Sequence, residues 1–309
     1  MRRWWIASSM FLRQGELILS LLIFYVIHMA EAFLDSSVLI GLVFRHAGER
    51  ASCRAVLPFD RAAVCSRYVI FEVARGFLRS LIALHNYSFE FDSFSGLHQA
   101  AHSGQQRFRP YRMHTWLGAF DDYFATLEAE DGVSGEGLKL VELRAKLRVW
   151  IRRGWRRMHS EFRLINEIHC RDDLPPPASR GDQRMDQRLP DGECGQPEAC
   201  GLQAFIQSRK RDVESVAAGL ESLPPSQKDS ETVNRIEGLR HLLGKLPGEP
   251  FIGQKCYNCG DALICMEAPT DYRIATKNRK HFETVARILS KPLVVAKTAR
   301  STTQGVPPV

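Results

Sequence analysis

The chain lacks the short motifs that mark nucleotide-driven, dinucleotide-dependent and serine-hydrolase enzymes. Its 309 residues contain no G-x-x-x-x-G-K-[ST], G-x-G-x-x-G or G-x-S-x-G segment. The first two motifs bring backbone N–H groups against phosphates, and the third exposes a nucleophilic serine at a sharp turn. Without them, these three kinds of chemistry have no local support. The chain also shows no internal repeat.

Cysteines are few, with eight in 309 residues, and they are scattered along the chain. A small secreted domain held by disulfides has a much denser set, so most of the eight are predicted to be reduced thiols. A membrane span is also missing. The N-terminal apolar run, Leu17 to Ala30, contains His28 and is shorter than the roughly 18 residues that a span needs. The sequence therefore predicts a cytoplasmic protein without a membrane partner.

The N-terminal segment has two further interpretations. Arg2 and Arg3 lie near the start, and the apolar run that follows ends in Ala30-Glu31-Ala32, a pattern similar to a secretory signal peptide. Cleavage there would cut into Phe33-Leu34-Asp35, which is predicted to belong to the first core strand. We therefore favour Met29 as the true start, so that residues 1–28 are an upstream extension of the reading frame.

The charge balance favours an acidic partner. The chain has 42 Lys and Arg against 35 Asp and Glu, a formal net charge of +7 and a pI of about 9.1. Such a surplus suits a polyanion such as RNA, although it also serves solubility alone. The hydrophobic share of 44% is ample for the buried core of one or two domains.

Composition divides the chain into zones. An N-terminal extension, residues 1–30, precedes α/β material in residues 31–105. Residues 106–249 are predicted to form a helical and loop insertion, after which α/β material resumes in residues 250–296, followed by a flexible tail, residues 297–309. The predicted strands are Ala32–Leu34, Arg273–Thr276 and Leu293–Val295. The first predicted helix follows the cap Asp35-Ser36-Ser37 and continues through Phe44. The other predicted helices are Ser66–His85, Trp116–Ala129, Leu138–Ile168, Leu202–Leu223, Ser230–Leu243, Ala262–Ala268 and His281–Leu289.

Three acidic residues stand where apolar elements begin or end. Asp35 closes the first strand, Glu72 lies in the second helix, and Asp261 begins a helix near the C-terminus. Asn278 follows the strand Arg273–Thr276. In an open α/β sheet, residues just beyond the carboxyl ends of the strands meet in one crevice. Carboxylates gathered there require a cation, and such oxygen ligands suit Mg²⁺ or Mn²⁺.

These segments resemble the PIN-domain family in their order and local context. The matching stretches are Phe33–Ile40, the Ser66–Ala74 helix that carries Glu72, Gly260–Ile264 and Ala275–Phe282. The resemblance implies a three-layer α/β/α sandwich with a central, mainly parallel sheet, into which a helical insertion is built.

The resemblance also implies a metal-dependent endoribonuclease. Asp35, Glu72 and Asp261 would bind Mg²⁺ or Mn²⁺, with Asn278 at the fourth position of the site. The ion would position the phosphate of RNA, stabilise the developing charge and lower the pKa of the attacking water. A toxin-like member of the family would have an antitoxin protein as partner, and a homodimer is expected. The side chains expected to orient the ligands are Ser36, Ser37 and Thr276.

The chain departs from the compact members of the family in two ways. The spacing from Glu72 to Asp261 is much longer, and Asn278 is neutral. The neutral Asn278 and the basic insertion both permit an alternative in which a PIN-like fold binds nucleic acid or protein without cutting. Each candidate also has a purely structural alternative: Asp35 and Asp261 as helix caps, Glu72 as the partner of Arg75, and Asn278 as a turn residue.

An arginine-rich stretch of the predicted insertion suggests a nucleic-acid contact. Trp150 and Trp155 interleave with arginines on the predicted helix Leu138–Ile168. Arginines contact phosphates and tryptophan stacks on an unpaired base; the alternative is a solvated helix whose tryptophans pack on the core. His281 is another candidate for a phosphate contact. The predicted nucleic-acid contacts are Arg152, Arg153, Arg156, Arg157 and Trp155.

A structural zinc site is a further candidate. Cys256 and Cys259 form a C-x-x-C pair, while Cys194 and Cys200 lie in a loop rich in proline and glycine. Four thiolates close many structural zinc sites, although the spacing of the second pair differs from that of a regular zinc knuckle. A zinc-stapled interaction protein is therefore a second alternative to the nuclease.

Overall fold

The computed structural model describes residues 31–57, 63–103, 110–127, 135–169, 175–186, 200–245 and 253–297. The predicted N-terminal extension, with the alternative start at Met29, lies outside the described residues, and so does the predicted tail beyond residue 297. Among the helices that the structure does describe, none combines the length and the apolar character that crossing a membrane requires.

Five short strands form one sheet at the centre of the molecule. They are β1 (Ala32–Leu34), β2 (Val64–Ser66), β3 (Arg163–Ile165), β4 (Arg273–Thr276) and β5 (Leu293–Val295). All neighbouring pairs are parallel, in the order β3-β2-β1-β4-β5. The predicted α/β sandwich around a central parallel sheet is confirmed, as are the three predicted strands.

Helices cover the sheet. Those of the first half are α1 (Ser36–Phe44), α2 (Ala47–Arg54), α3 (Arg67–Val73), α4 (Arg79–Tyr87), α5 (Phe94–His102), α6 (Pro110–Leu127) and α7 (Glu136–Ser160). A π-helical turn, Ala74–Leu78, joins α3 to α4 without a break, so the long helix predicted from Ser66 is confirmed. Those of the second half are α8 (Leu202–Ser208), α9 (Lys210–Glu221), α10 (Ser230–Gly244), α11 (Gly253–Asn258), α12 (Gly260–Glu267) and α13 (Arg279–Ile288).

The central position of β1 fixes where a crevice forms. Ala32, Phe33 and Leu34 are fully buried, as expected for a parallel strand in the middle of a sheet. The chain leaves β1 towards β2 on one side and later returns as β4 on the other side. The order of the strands therefore reverses beside β1. Open α/β sheets bind ligands beyond the carboxyl ends of the strands at such a switch point.

The third strand corrects the predicted organisation. The sequence predicts one helix from Leu138 to Ile168, but α7 ends at Ser160 and the chain then forms β3 beside β2. β3 is a three-residue edge strand, so its conformation depends on pairing with β2 more than on its own residues. The range 106–249, predicted to be an insertion, therefore contributes one strand to the sheet itself.

Helix α7 packs closely on α1 at a glycine. A Cβ atom at Gly154 would overlap the ring of Phe44, whereas at Gly137, on the same helix, nothing lies within 4 Å. The two glycines therefore provide a matched pair of sites with opposite surroundings. The buried stripe of α7 consists of Leu140, Leu143, Leu147, Ile151, Gly154, Trp155 and Met158.

We expect alanine at these two glycines to have opposite effects on stability. Gly154→Ala should lower the free energy of unfolding by about 1–3 kcal/mol, because the α1–α7 contact must open. Gly137→Ala should raise it by about 0.5–1 kcal/mol through helix propensity alone. Urea unfolding of both variants checks this expectation. Equal effects would mean that α7 does not pack on α1 as described.

Candidate active site

Asp35 lies at the carboxyl end of β1 and begins α1. Its side chain is only 2% exposed, and its Oδ1 atom accepts the backbone N–H of Val38 at 2.8 Å, so it does cap the helix. The Ser37 hydroxyl donates to both carboxylate oxygens, at 2.8 and 2.9 Å, and Thr276 Oγ1 donates to Oδ2 at 2.6 Å. Burial raises the pKa of Asp35 to about 6 despite these bonds.

The strand pairing of β1 and β4 brings Thr276 to this carboxylate. Leu34 pairs with Ala275, and the Asp35 backbone N–H donates to the Ala275 carbonyl at 3.0 Å. Ser37 is fixed in turn, because its Oγ atom accepts the backbone N–H of Lys277 at 2.9 Å. Two hydroxyls expected to orient Asp35 thus contact it.

Glu72 projects from α3 into the same crevice. Its carboxylate makes a hydrogen bond with the Ser36 side chain, so Ser36 contacts Glu72 rather than Asp35. Its Oε2 atom is buried and has no hydrogen-bond partner among the described residues. Burial, followed by the charge of Asp261, raises the pKa of Glu72 to about 7. At Gly260 a Cβ atom would lie 3.1 Å from Glu72 Oε1, so this glycine allows the start of α12 to approach the carboxylate.

Asp261 lies in the first turn of α12, where a carboxylate is favourable. Its Oδ2 atom is 2.5 Å from Arg235 Nη2 and 3.4 Å from His281 Nδ1. Asp261 also raises the pKa of both Asp35 and Glu72 through its charge. The three acidic residues singled out from the sequence therefore lie within electrostatic range of one another.

Asn278, the predicted fourth residue of the site, lies in an exposed turn. It precedes α13 but its side chain does not cap that helix, and the residue is exposed. Its backbone N–H donates to Thr276 Oγ1 at 2.9 Å, and its carbonyl accepts the His281 N–H at 3.2 Å. The contacts of Asn278 are thus those of a residue in the turn after β4.

The oxygen atoms of these carboxylates are ligands of the kind that a hard divalent cation prefers. Asp35, Glu72 and Asp261 offer carboxylate oxygens, and the unpartnered Glu72 Oε2 atom is a buried acceptor of the kind that a cation satisfies. In the part of the chain that the structure describes, no three His, Cys, Asp or Glu side chains are arranged to share an ion as they stand. Asp35 is directed towards hydroxyls, and Asp261 is directed towards Arg235.

No protein-family model, curated protein or solved structure matched this chain in the comparisons. The comparisons therefore do not bear on the resemblance to PIN domains. A functional assignment has to rest on the chemistry of the crevice.

Arg235 is a functional candidate that sequence reasoning missed. It comes from α10, inside the predicted insertion, and is only 7% exposed. Besides its ion pair with Asp261, it donates to the His281 carbonyl at 3.2 Å. A signal was present, because Arg235 is spaced from Leu239 and Leu242 as on one face of a helix, and an arginine on a buried face needs a partner.

His281 completes the charged surroundings of Asp261. Its Nε2 atom lies 2.9 Å from Glu231 Oε2, while Nδ1 faces Asp261. The hydrogen bond with Asp261 raises the pKa of His281. The Arg235 guanidinium and the His281 imidazole therefore both lie beside one of the three carboxylates.

The predicted nucleic-acid contacts on α7 have different surroundings. Trp155 is only 7% exposed and packs on His159 with ring centroids 4.6 Å apart, so it cannot stack on a base. The predicted contact of Trp155 with nucleic acid is wrong, because Trp155 lies in the buried stripe of α7. Arg157 binds Glu161 and the carbonyls of Leu42 and Val43. Arg152 donates to Ser179 at 2.7 Å, while Arg153 and Arg156 are exposed.

The four cysteines considered for zinc are not seen as a cluster. Cys194 lies outside the described residues. Cys256 Sγ lies 3.8 Å from the Tyr68 hydroxyl, and Cys259 is buried with its Sγ 3.8 Å from the Arg235 carbonyl. Cys200, Cys256 and Cys259 are thiols rather than disulfides.

A fourth buried carboxylate belongs to Glu267, the last residue of α12. Its Oε1 atom accepts the backbone N–H groups of Glu167 and Ile168, at 3.1 and 3.3 Å, just beyond β3. Oε2 is buried and has no partner among the described residues. Burial raises the pKa of Glu267 to about 7, although bonds from Ser66 and the backbone oppose this.

We expect Glu267 to make the fold less stable as the pH rises. The unfolded carboxyl loses its proton near 4.5 and the folded one near 7, so the native state binds more protons between these values and stability falls with pH across that window. Glu267→Gln should remove this loss and gain about 3 kcal/mol at pH 8, with little change at pH 4.5. Thermal unfolding across this range, with Glu90→Gln at an exposed carboxylate as control, measures it; parallel pH profiles for Glu267→Gln and wild type would contradict it.

Proposed function

We propose that this chain is a PIN-like, metal-dependent endoribonuclease. The observation that carries the proposal is the meeting of Asp35, Glu72 and Asp261 in one crevice at the switch point of the sheet. The charge of Asp261 raises the pKa of the other two carboxylates. Carboxylates held together out of water are costly without a cation, and oxygen donors of this type suit Mg²⁺ or Mn²⁺.

The proposed reaction is hydrolysis of an RNA phosphodiester bond. Asp35, Glu72 and Asp261 would hold the ion, which when bound supplies positive charge for the scissile phosphate and activates water. The hydroxyls on Asp35 keep that carboxylate in one orientation. Arg235 and His281 lie beside Asp261, where the guanidinium charge and the imidazole N–H would stabilise negative charge that develops on a phosphate oxygen.

RNA is the proposed partner because the chain is basic, with a net charge of +7. By the resemblance to toxin-like PIN ribonucleases, an antitoxin protein encoded beside this chain and a second copy of the chain are further proposed partners. The proposed location is the cytoplasm.

One contact favours a second function, a PIN-like module that binds nucleic acid or protein without cutting. Arg235 already neutralises Asp261 at 2.5 Å, and a buried guanidinium beside a carboxylate competes with a metal ion for the same oxygens. In this alternative, the arginine replaces the ion and the crevice has a structural role only.

Cleavage of a mixed RNA pool separates the two functions. Wild-type protein is incubated with structured and single-stranded RNA in Mn²⁺, Mg²⁺ or EDTA. The nuclease proposal predicts fragments with metal, none with EDTA, and renewed cleavage when excess Mn²⁺ is returned. RNA binding without fragments in any buffer would instead support the binding module.

A further inference from the structure

A second crevice, away from the acidic cluster, lies at the C-terminal end of α1. It has a volume of about 810 Å³ and is lined by residues from the α1–α2 junction and from α7. Because α1 begins next to Asp35 and contains nine residues, its far end is about 13 Å away along the helix axis. The two crevices therefore lie at opposite ends of α1.

Four arginines line this crevice, against two carboxylates. Arg45 lies 3.0 Å from Asp122, and Arg157 lies 2.6 Å from Glu161. These two ion pairs leave little charge to offer a ligand, but they hold the walls of the crevice in place. The remaining two arginines give the crevice its positive charge.

Arg50 and Arg153 are the two cations open to a ligand. Both are exposed, and within the described part of the chain Arg153 forms no ion pair. Arg50 donates one hydrogen bond to the Arg45 carbonyl at 3.1 Å, which leaves most of its five N–H groups available. His46 accepts two backbone N–H groups through Nδ1, so its other ring nitrogen carries the hydrogen and is a further donor.

An aromatic surface accompanies these donors. Trp150 lines the crevice and its side chain is half-buried, in contrast to Trp155 in the core. An indole ring stacks on any nucleic-acid base, because every base has a π face. Guanidinium groups match phosphate oxygens through paired N–H donors. The crevice thus presents donors for a phosphate beside a stacking surface for a base.

We propose that this crevice binds a nucleotide unit, with the phosphate on Arg50 and Arg153 and the base on Trp150. Its volume of about 810 Å³ is typical of sites that enclose a small molecule. The unit comes either from a free nucleotide or from a segment of single-stranded RNA. Binding here requires no cleavage at the acidic cluster, so the inference stands whether or not the chain is a ribonuclease.

Fluorescence anisotropy with a labelled single-stranded RNA tests the proposal. The RNA carries 2′-O-methyl groups and the buffer contains EDTA, so cleavage cannot affect the signal. Binding is compared between wild type, Arg50→Glu/Arg153→Glu, Trp150→Ala, and Lys210→Glu/Arg211→Glu, a charge-matched control at two exposed residues of α9. Circular dichroism verifies that each variant is folded, and unlabelled AMP and inorganic polyphosphate serve as competitors.

Arg50→Glu/Arg153→Glu should weaken RNA binding by roughly tenfold or more, and Lys210→Glu/Arg211→Glu should have less than roughly a twofold effect. Trp150→Ala should weaken RNA binding by roughly tenfold while competition by polyphosphate stays unchanged, because polyphosphate has no base to stack. Competition by AMP at similar site occupancy would identify a free nucleotide as the ligand, and competition by oligonucleotides alone would identify a strand. Absence of RNA and AMP binding by the wild type, or equal losses for Arg50→Glu/Arg153→Glu and Lys210→Glu/Arg211→Glu, would overturn the proposal.

Discussion

Replacing Asp35 with Asn is expected to lower metal-dependent RNA cleavage by more than roughly 100-fold. Loss of a residue that only supports a metal ligand costs roughly 10–100-fold, and Asp35 is proposed to be a ligand itself. The fold should survive, because the Asn amide oxygen can still accept the Val38 N–H that now binds Asp35. Initial rates of RNA cleavage in Mn²⁺ measure the loss.

The pKa of Asp35 supplies the folding control. The folded pKa of Asp35, about 6, is above its ordinary value of 3.8. The free energy of unfolding therefore falls as the pH rises between these two values, and the loss is complete above them. Asp35→Asn should therefore be no less stable than wild type at pH 7.5 in EDTA. Asp271→Asn, at an exposed carboxylate in the turn before β4, is the matched control and should cleave RNA at the wild-type rate. If Asp35→Asn cleaved RNA at the wild-type rate, the Asp35 carboxylate would have no part in the reaction.

Replacing Arg235 with Met is expected to raise the affinity for Mn²⁺ by roughly tenfold or more. The guanidinium holds Asp261 at 2.5 Å, and a hydrogen bond between charged groups contributes roughly 1.5–3 kcal/mol. Met fills a similar apolar space on α10 and frees the carboxylate for the ion. Isothermal titration with Mn²⁺ at pH 7.5 measures the change in affinity.

The control for Arg235→Met lies on the same helix. Arg240 is largely exposed and pairs with Glu221 away from the crevice, so Arg240→Met should bind Mn²⁺ as the wild type does. If Arg235→Met binds Mn²⁺ no better than wild type, the arginine does not compete with an ion. If that variant gains metal affinity but loses cleavage, Arg235 acts on the phosphate as well.

The position of the acidic cluster was predictable because it depends on the ends of buried strands. Apolar residues Ala32 to Leu34 specify a central strand, and Asp35 is the first polar residue after it. The order of the segments then places Glu72 and Asp261 near the same edge of the sheet. The contacts of Thr276 follow from the pairing of β4 with β1.

The parts that were missed depend on contacts distant in the chain. β3 is partly exposed, and its three residues are too few to show an alternating pattern, so only its pairing with β2 defines it. Arg235 and Asp261 are 26 residues apart on different helices, and no local pattern joins them. Trp155 was a different kind of error, since its spacing of four from Ile151 places it in the apolar stripe of α7.

Binding of Mn²⁺ followed by electron paramagnetic resonance tests the central claim most directly, because it does not require the correct RNA. Free Mn²⁺ is titrated with wild-type protein and with Asp35→Asn/Asp261→Asn at pH 7.5. The account predicts saturable loss of the free Mn²⁺ signal with wild type, and no loss with the double variant. Free Mn²⁺ that stays unbound by wild type, or equal binding by both proteins, would show that these carboxylates do not form a metal site.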